Sequence, residues 1–401
     1  MWVILSNALI YYSMDECQLY STLLELKSPW KVEKVSLNSV KKTVDIYITH
    51  VKGSKLVCPI CRKECMVYDH LKERVWRDLD SIEFMTFVHA SPPRISCNEH
   101  AIMEAVIPWT EKRYIFTLRF ETRSIRMLQN IVTYNFTDIM KLSWNQAWNI
   151  LERAVKRGIE RKSGNPSIIG IDEKSYRKGH RYITLVYDMM NNGVEYISYD
   201  RKKKSLDQHY NTPSKEQLSS ISAVSMDMWD PFMSSTLEHV PDAGRKIVFD
   251  RFHVMKHVNM EVDSTRKREN RMFLEKGMDD LKGTRYRWLY SSGNLPEKYR
   301  ERYEELKKSD LLTGKAYSMK ENIRELWNAP SMDDAMKDVA RMMKLHLVKI
   351  MNYFTHRITN ARAEGINSKI ALIEKMAYGF RNKEHLKTSI YFRCGNLQLY
   401  P

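Results

Sequence analysis

The sequence predicts an α/β, multidomain chain built around a mixed sheet, and three observations carry that prediction. Between residues 168 and 250, short apolar runs and helical segments follow the order strand, strand, strand, helix, strand, helix, strand. Three of those strands end on a carboxylate, at Asp172, Asp227 and Asp250. Before residue 164 the pattern differs, with paired Cys and His knuckles followed by amphipathic helices.

The sheet region opens with the apolar run 168–171, which delivers Asp172 and Glu173. A carboxylate ending a buried strand is costly unless a metal or a charged partner meets it. On a strand, Glu173 points to the opposite face from Asp172, which makes it a structural residue. A basic turn follows, with Lys174, Arg177, Lys178, His180 and Arg181, and is a candidate phosphate contact. The second strand spans 182–187 and the third 193–200, joined through the turn residues Asn191, Asn192 and Gly193. Asp188 belongs to that turn. A helix at 214–222, a strand at 223–226 ending on Asp227, a helix at 231–239 and a strand at 246–249 ending on Asp250 complete the region. Arg251, Phe252 and His253 come next.

At 401 residues the chain has room for two to four domains. Its net charge of +16 points to a polyanionic partner. The 22 Tyr and nine Trp argue for ordered cores and against a disordered basic tail. No apolar run approaches the roughly 20 residues that span a membrane. The apolar start, WVILSNALIYY, has no basic residues before it and no clear cleavage site. It reads as leader sequence, as the region before a start at Met14, or as a packing segment, and not as a secretion signal. Six cysteines are too few for a disulfide scaffold of this length and fit a metal site in a reducing cytoplasm.

Residues 44–51 alternate as a strand does. Cys58 and Cys61 form one C-x-x-ligand knuckle, Cys97 and His100 another; three thiolates and an imidazole suit tetrahedral structural Zn²⁺. The segment between them, including EFMTFVHA, can form strands that bring the knuckles together. Arg62 stands where glycine would ease the turn, and Cys65 is a spare thiol able to substitute as a ligand. His70 and His89 read as surface or packing residues.

From 116 to 162 the period becomes helical. In the third helix Trp144, Ala147, Trp148, Leu151, Val155 and Ile159 fall near one face, leaving Asn145, Gln146, Asn149, Arg153, Lys156 and Arg157 largely outside it. A short helix, a tight turn at 141–143 and a basic following helix fit a helix-turn-helix that binds DNA with those six residues; a plain helical bundle with a solvated basic face is the alternative. Ser163, Gly164, Asn165 and Pro166 mark a domain boundary. Residues 254–355 read as helical and strongly basic. Arg285-Tyr286-Arg287-Trp288 could stack on a base or simply pack in a core. Near the end, Glu364 opens a helix carrying Ile366, Ile370 and Ile373, with Asn367 one turn on. Asp172, Asp227 and Glu364 together could hold two Mg²⁺ ions for in-line phosphoryl transfer.

The chain closely resembles bacterial insertion-sequence transposases of the ISL-three family. The likeness rests on CPIC with PPRISCNEH, PW followed by FTLRFE, GIDEKSYRKGHRYITLVYD, VSMDMW, VFDRFHV and TNARAEGINSKI with AYGFRN and IYFRCG. It implies a ribonuclease-H-like mixed-sheet catalytic core with a helical insertion, preceded by a zinc-binding segment and a helix-turn-helix. The corresponding expectations are an N-terminal segment at 1–50, a zinc-binding domain at 51–112 and a helix-turn-helix domain at 113–163. The core is expected at 164–253 and 356–401, with the insertion at 254–355. The resemblance implies a DDE triad on Asp172, Asp227 and Glu364, holding Mg²⁺ or Mn²⁺. Asp227 takes the second place because it ends the fourth strand; Asp250 and His253 resemble a D-x-x-H motif and have a supporting role, with Asp250 the alternative second acid. The implied activity is cleavage and strand transfer of double-stranded DNA at transposon ends and target, by a homo-oligomer in the cytoplasm, associated with the nucleoid and not with membrane. The alternatives are a non-catalytic DNA-binding regulator derived from a transposase, and a ribonuclease-H-like nuclease that cuts without joining.

Overall fold

A computed structural model describes residues 15–177, 181–308, 311–326, 352, 356, 358 and 361–401. The apolar start at 1–14, Lys178 and His180 of the basic stretch, and most of 327–360 lie outside the described residues. The chain divides into two compact units. One runs to Glu160 and includes Gln398–Pro401; the other is Arg161–Leu397.

The first unit opens with helix α1 (Glu16–Leu23), whose N-cap Asp15 accepts from the Gln18 amide at 2.7 Å. Eight strands follow: β1 (Trp30–Asn38), β2 (Thr43–His50), β3 (Lys55–Val57), β4 (Glu64–His70), β5 (Arg74–Ser81), β6 (Phe84–Ala90), β7 (Pro93–Cys97) and β8 (Ala101–Glu104). They form two four-stranded sheets, ordered β1-β2-β6-β5 and β3-β4-β7-β8. The alternation of β2 buries Val44, Ile46 and Ile48 against Trp76, Val88 and Trp109. EFMTFVHA is β6. It pairs in parallel with β2 in the first sheet, where Val88 is core, so it does not join the knuckles. That task falls to the antiparallel β4–β7 pair in the second sheet.

Helices α2 (Leu118–Asn130), α3 (Thr133–Met140) and α4 (Trp144–Glu160) complete this unit. Helix α3 stops because Lys141 takes a left-handed conformation, φ 52°. Two residues later Ser143 and Gln146 exchange bonds, amide to side chain in both directions at 2.8 and 3.3 Å, and this reciprocal cap starts α4. Ala147, Trp148, Ile150, Leu151, Ala154 and Val155 are buried, whereas Trp144 and Ile159, expected on that face, are each 47% exposed. Arg157, expected on the DNA-facing side, is buried as well. Its guanidinium pairs with Glu121 at 2.8 Å and Glu111 at 3.2 Å, and donates to the Leu399 carbonyl at 2.7 Å. The reason is helical phase: Arg157 follows Ala154 by three residues and sits on the same face. Burial raises the Glu121 carboxyl above its ordinary range, and Arg157 opposes that.

The second unit holds a five-stranded sheet ordered β11-β10-β9-β12-β13, where β9 is Ile168–Arg177, β10 Arg181–Asp188, β11 Gly193–Tyr199, β12 Ala223–Met226 and β13 Ile247–Phe249. The first three are antiparallel; β12 runs parallel to β9, and β13 to β12. Lys174 and Arg177, read as turn residues, are part of β9, which continues past its apolar half. Asp188 does close a turn, accepting from the Met190 and Asn191 amides at 2.9 and 3.1 Å. Four helices lie between β11 and β13: α5 (Lys203–Tyr210), α6 (Lys215–Ser219), α7 (Asp230–His239) and α8 (Ala243–Lys246). Helix α5 was hidden by its polar sequence, KKSLDQHY, which buries only Ser205, Leu206 and Tyr210. Helix α6 begins at the capping box of Ser214 and Gln217. Sheet and helices share one core, including Ile169, Ile171, Val186, Val224, Met226, Phe232 and Phe249.

Helices α9 (Arg251–Glu275), α10 (Arg285–Leu289), α11 (Glu297–Lys308) and α12 (Leu312–Leu326) have a separate core of Val262, Leu281, Trp288, Leu295, Tyr303, Leu306, Leu311 and Tyr317. Trp288 is therefore a packing residue, its Nε1 bonded to Thr284 at 3.2 Å. Buried Glu269 of α9 caps α12 by accepting from the Leu312 and Thr313 amides at 2.7 and 2.8 Å. Two last helices, α13 (Ala361–Met376) and α14 (Lys383–Cys394), close the unit.

Removing Arg157 strands the Glu121 carboxylate in the interior. Arg157→Ala is expected to destabilise the first unit by roughly 3–5 kcal/mol in denaturant titration, the cost of breaking a buried pair. Lys156→Ala, on the exposed side of the same helix, leaves the midpoint nearly unchanged.

Candidate active site and metal centre

Strand register builds the site. Ile171 lies opposite Met226, and Met226 opposite Phe249. All three are buried. The next residue in each case is an aspartate, so Asp172, which lies inside β9 and does not end it, stands level with Asp227 and Asp250, which follow the last residues of β12 and β13. The Asp250 amide donates to the Met226 carbonyl at 3.2 Å. Helix α9 starts at once and places His253 between the second and third acids, with Nδ1 2.7 Å from Asp227 Oδ1 and Nε2 3.9 Å from Asp250 Oδ2. That contact raises the His253 pKa, chiefly through the bond to Asp227.

Asp172 and Asp227 border a cavity of about 310 Å³, together with Glu173, Met228, Trp229, Asp230 and Phe232. Asp250 is buried and is not among the residues that line it. Burial pushes the Asp172 carboxyl up to about 6. The Glu173 amide opposes the rise, the Asp227 charge adds to it, and His253 and Asn367 lower it. Asp172 Oδ1 accepts from the Glu173 amide and Oδ2 from the Asn367 side chain, both at 2.7 Å. Asn367 comes from α13, and Glu364 is exposed one turn earlier on that helix. The ligand atoms of Asp172, Asp227 and Glu364 are not drawn into a closed cluster; among the described residues only the Cys/His set is.

Glu173 differs from the expectation of a purely structural residue facing away. It borders the same cavity while its Oε1 takes Arg201 Nη1 at 2.9 Å. Arg201 also lies over the rings of Tyr182 and Trp229, at 4.3 and 4.8 Å, and its carbonyl accepts from Trp229 Nε1 at 3.1 Å. Arg201 has almost no local signature in the sequence. Its only signal was that it is the first cation after the third strand, in a run of four basic residues.

In the first unit, Cys58, Cys61, Cys97 and His100 bring one ligand atom each to within 4.8 Å of one another. Cys61 and Cys97 sulfurs are 3.7 Å apart, and His100 Nδ1 is 3.8 Å from Cys58 and 3.6 Å from Cys97. Zinc bonds of ordinary length set tetrahedral edges of about 3.8 Å between sulfurs and about 3.6 Å from sulfur to nitrogen, so the four residues fit the ion. The Glu99 amide, ahead of the His100 amide, helps draw the Cys97 thiol down to about 7, as a knuckle should. Arg62 carries the left-handed φ of 61° that a glycine would take. Cys65 is buried outside the cluster, 3.6 Å from the Lys63 carbonyl.

On α4, Asn145, Asn149 and Lys156 are exposed. Gln146 is partly occupied by its cap, and Arg153 is ion-paired with Glu111 and lies 3.9 Å over the Tyr114 ring. His70 stacks on His50 with their Nε2 atoms 2.9 Å apart, and His89 bridges Asp45 and Glu73 at 2.8 and 3.2 Å; neither approaches the Cys/His cluster. No helix among the described residues is long and apolar enough to cross a membrane.

Residues 169–390 match the family model of ISL3-type DDE transposases, described as a transposase. Residues 55–100 match the zinc-finger of the IS204/IS1001/IS1096/IS1165 transposases. The chain is 24% identical over 374 residues to the transposase for insertion sequence element IS1557 of Mycobacterium tuberculosis, covering 82% of this chain and 83% of that one. It is 24% identical over 368 residues to the transposase for IS1001 of Bordetella parapertussis, covering 86% and 90%. With aspartates aligned at one sheet edge, a Cys₃His cluster on a separate sheet and matches over most of its length, the chain belongs to the ISL3 family of DDE transposases, enzymes of DNA transposition.

Proposed function

We propose that the enzyme binds the terminal inverted repeats of an insertion sequence and catalyses metal-dependent cleavage and strand transfer with Asp172, Asp227 and Glu364. The observation that carries this reading is the register of Asp172 beside Asp227, with the helix bearing Glu364 bonded to Asp172 through Asn367. In this reading 51–112 is the zinc module, 113–163 the helix-turn-helix, 164–253 with 356–401 a ribonuclease-H-like core, and 254–355 its insertion. The sheet order, antiparallel then parallel with Asp172 inside the first parallel strand and Asp227 just past the end of the next, supports such a core.

An all-carboxylate set suits Mg²⁺ or Mn²⁺, and a half-buried Asp172 beside a second carboxylate favours a cation. When bound, such ions activate the attacking water or 3′-hydroxyl and stabilise the leaving oxygen. The chain's own residues orient the acids. His253 holds Asp227 from behind, the Glu173 amide and Asn367 hold both oxygens of Asp172, and Asp250 supports His253. Lys174, on the extended end of β9, is a proposed contact to the DNA backbone, whereas Arg177 donates to the Phe380 and Arg381 carbonyls and would have to leave them to serve as one.

For DNA recognition, α3 and α4 serve as the helix-turn-helix, with α4 in the major groove. Exposed Asn145 and Asn149 are the base-reading residues, and Lys156 meets a phosphate. Gln146 and Arg153 contribute only by leaving their intramolecular partners, and Arg157 is structural. Zn²⁺ on Cys58, Cys61, Cys97 and His100 holds the second sheet together. The working form is a homo-oligomer that pairs two transposon ends.

Asp172→Ala, Asp227→Ala and Glu364→Ala are each expected to abolish Mg²⁺-dependent nicking and joining of a terminal-repeat duplex while repeat binding persists. Joining by the Asp227 variant, with loss in Asp250→Ala, would move the second acid to Asp250. Hydrolysis without joined product in the parent enzyme would make it a nuclease, and binding without hydrolysis a regulator. Cys58→Ser should lower zinc content from about one ion per chain and lower the melting temperature of the first unit; full retention of both refutes the zinc assignment. Asn149→Ala should cost about 1–3 kcal/mol and relax discrimination at one base pair, whereas Lys156→Ala should weaken all sequences equally and reduce the salt slope by about 1.

A further inference from the structure

The bond from Asn367 to Asp172 is the middle of a longer connection. Tyr187 of β10 is fully buried, and its hydroxyl lies 2.8 Å from Asn367 Oδ1, while Asn367 Nδ2 donates to Asp172 Oδ2 at 2.7 Å. The orientation is dictated by chemistry. An ionised carboxylate only accepts, so the amide must turn its NH₂ to Asp172, which leaves its oxygen for a donor, and the Tyr187 hydroxyl supplies one. Tyr187 is registered against Gly170, two residues before Asp172 on the same face of β9. One side chain from α13 thus reaches two points on one face of the sheet. Glu364 is on that helix one turn earlier, so whatever fixes Asn367 also fixes the height of Glu364 along the sheet.

We propose that Tyr187 and Asn367 are positioning residues that set the Asp172 carboxylate and the Glu364 helix in register for metal binding. Neither touches substrate. Removing Asn367 frees Asp172 Oδ2 and the helix together; removing only the Tyr187 hydroxyl leaves the amide NH₂ on Asp172 but takes away the donor that anchors the amide oxygen, so the contact is held less firmly. Outer partners of metal-binding carboxylates commonly change metal affinity by about 10–100-fold.

The inference rests on Asp172 being a metal ligand, and the test separates the two. Mn²⁺ binding to the full-length, zinc-loaded protein is titrated by electron paramagnetic resonance, with thermal unfolding followed in parallel. Asp172→Ala should remove the tightest Mn²⁺ binding; if it does not, the ligand assignment fails. Given that loss, Asn367→Ala should weaken Mn²⁺ binding by about 10–100-fold, and Tyr187→Phe, which keeps the ring in the core, should weaken it by a smaller factor. The double variant should bind no more weakly than Asn367→Ala alone, because both act through one contact. Unchanged Mn²⁺ affinity in a folded Asn367→Ala protein, or losses that multiply in the double variant, would overturn the proposal. Should Asn367→Ala fail to fold, Tyr187→Phe decides alone, and wild-type affinity there refutes the relay.

Discussion

The constraint on which the catalytic unit depends is the in-register placing of three aspartates on neighbouring parallel strands, Asp172 inside β9 and Asp227 and Asp250 just past the ends of β12 and β13. Ile171, Met226 and Phe249 are locked side by side in the core, so their successors cannot separate without breaking the sheet. Like charges brought together at a half-dry sheet edge repel strongly, which is why the surroundings are organised to receive them. His253 is set against Asp227 by the immediate start of α9, and Asp172 has a donor for each oxygen. These partners hold the carboxylates in place without neutralising them all. On the proposed reading, the unfavourable electrostatics of these acids is what a divalent cation would relieve.

The acids stand out against a chain of net charge +16. A basic surface concentrates DNA by long-range attraction, whereas an acidic edge would repel a phosphate unless cations intervened. On the proposed reading of the site, the same polymer would be attracted to the molecule at large and admitted to the acidic edge when metal is bound. Arg201, braced by Glu173, Tyr182 and Trp229 beside the cavity, fits this division: it is a cation held on the rim and kept from folding onto Asp172 or Asp227.

Legibility in the sequence followed how local each signal was. The strand order, the four zinc-site residues and the three helices before residue 161 were readable because apolar period, knuckle spacing and turn residues are all local. EFMTFVHA was recognisable as a strand but not assignable to a sheet, since pairing is set by the distant β2. Helix α5 was missed because a helix burying three residues has little periodic signal. Arg157 was misplaced because a buried cation looks like a surface cation until its partners, Glu121 and the Leu399 carbonyl, are known from elsewhere in the chain. Of the proposed catalytic acids, Asp227 and Glu364 could be singled out at the end of a strand and the start of a helix, and Asp172 where an apolar run stops, although β9 itself continues. The contact that joins the late helix to the sheet runs between Asn367 and Asp172 and has no local signature.

The second sheet of the first unit shows why its cysteines cannot be ordinary core residues. Its fully buried apolar residues are Leu56, Cys58, Cys65, Ile95, Cys97 and Ala105, half of them thiols, with Trp30, Cys61, Val67 and Met103 partly buried against them, and β3 and β8 are only three and four residues long. Such a cluster buries too little apolar surface to offset the entropy of ordering the two knuckle turns. Arg62 adds to the cost by taking a left-handed conformation that a side chain disfavours. A bound ion changes the balance, because its ligand bonds form only when both knuckles are in place and their free energy becomes folding free energy. Arg62 is tolerable for the same reason: a closed metal site can hold a strained residue that a small apolar cluster could not.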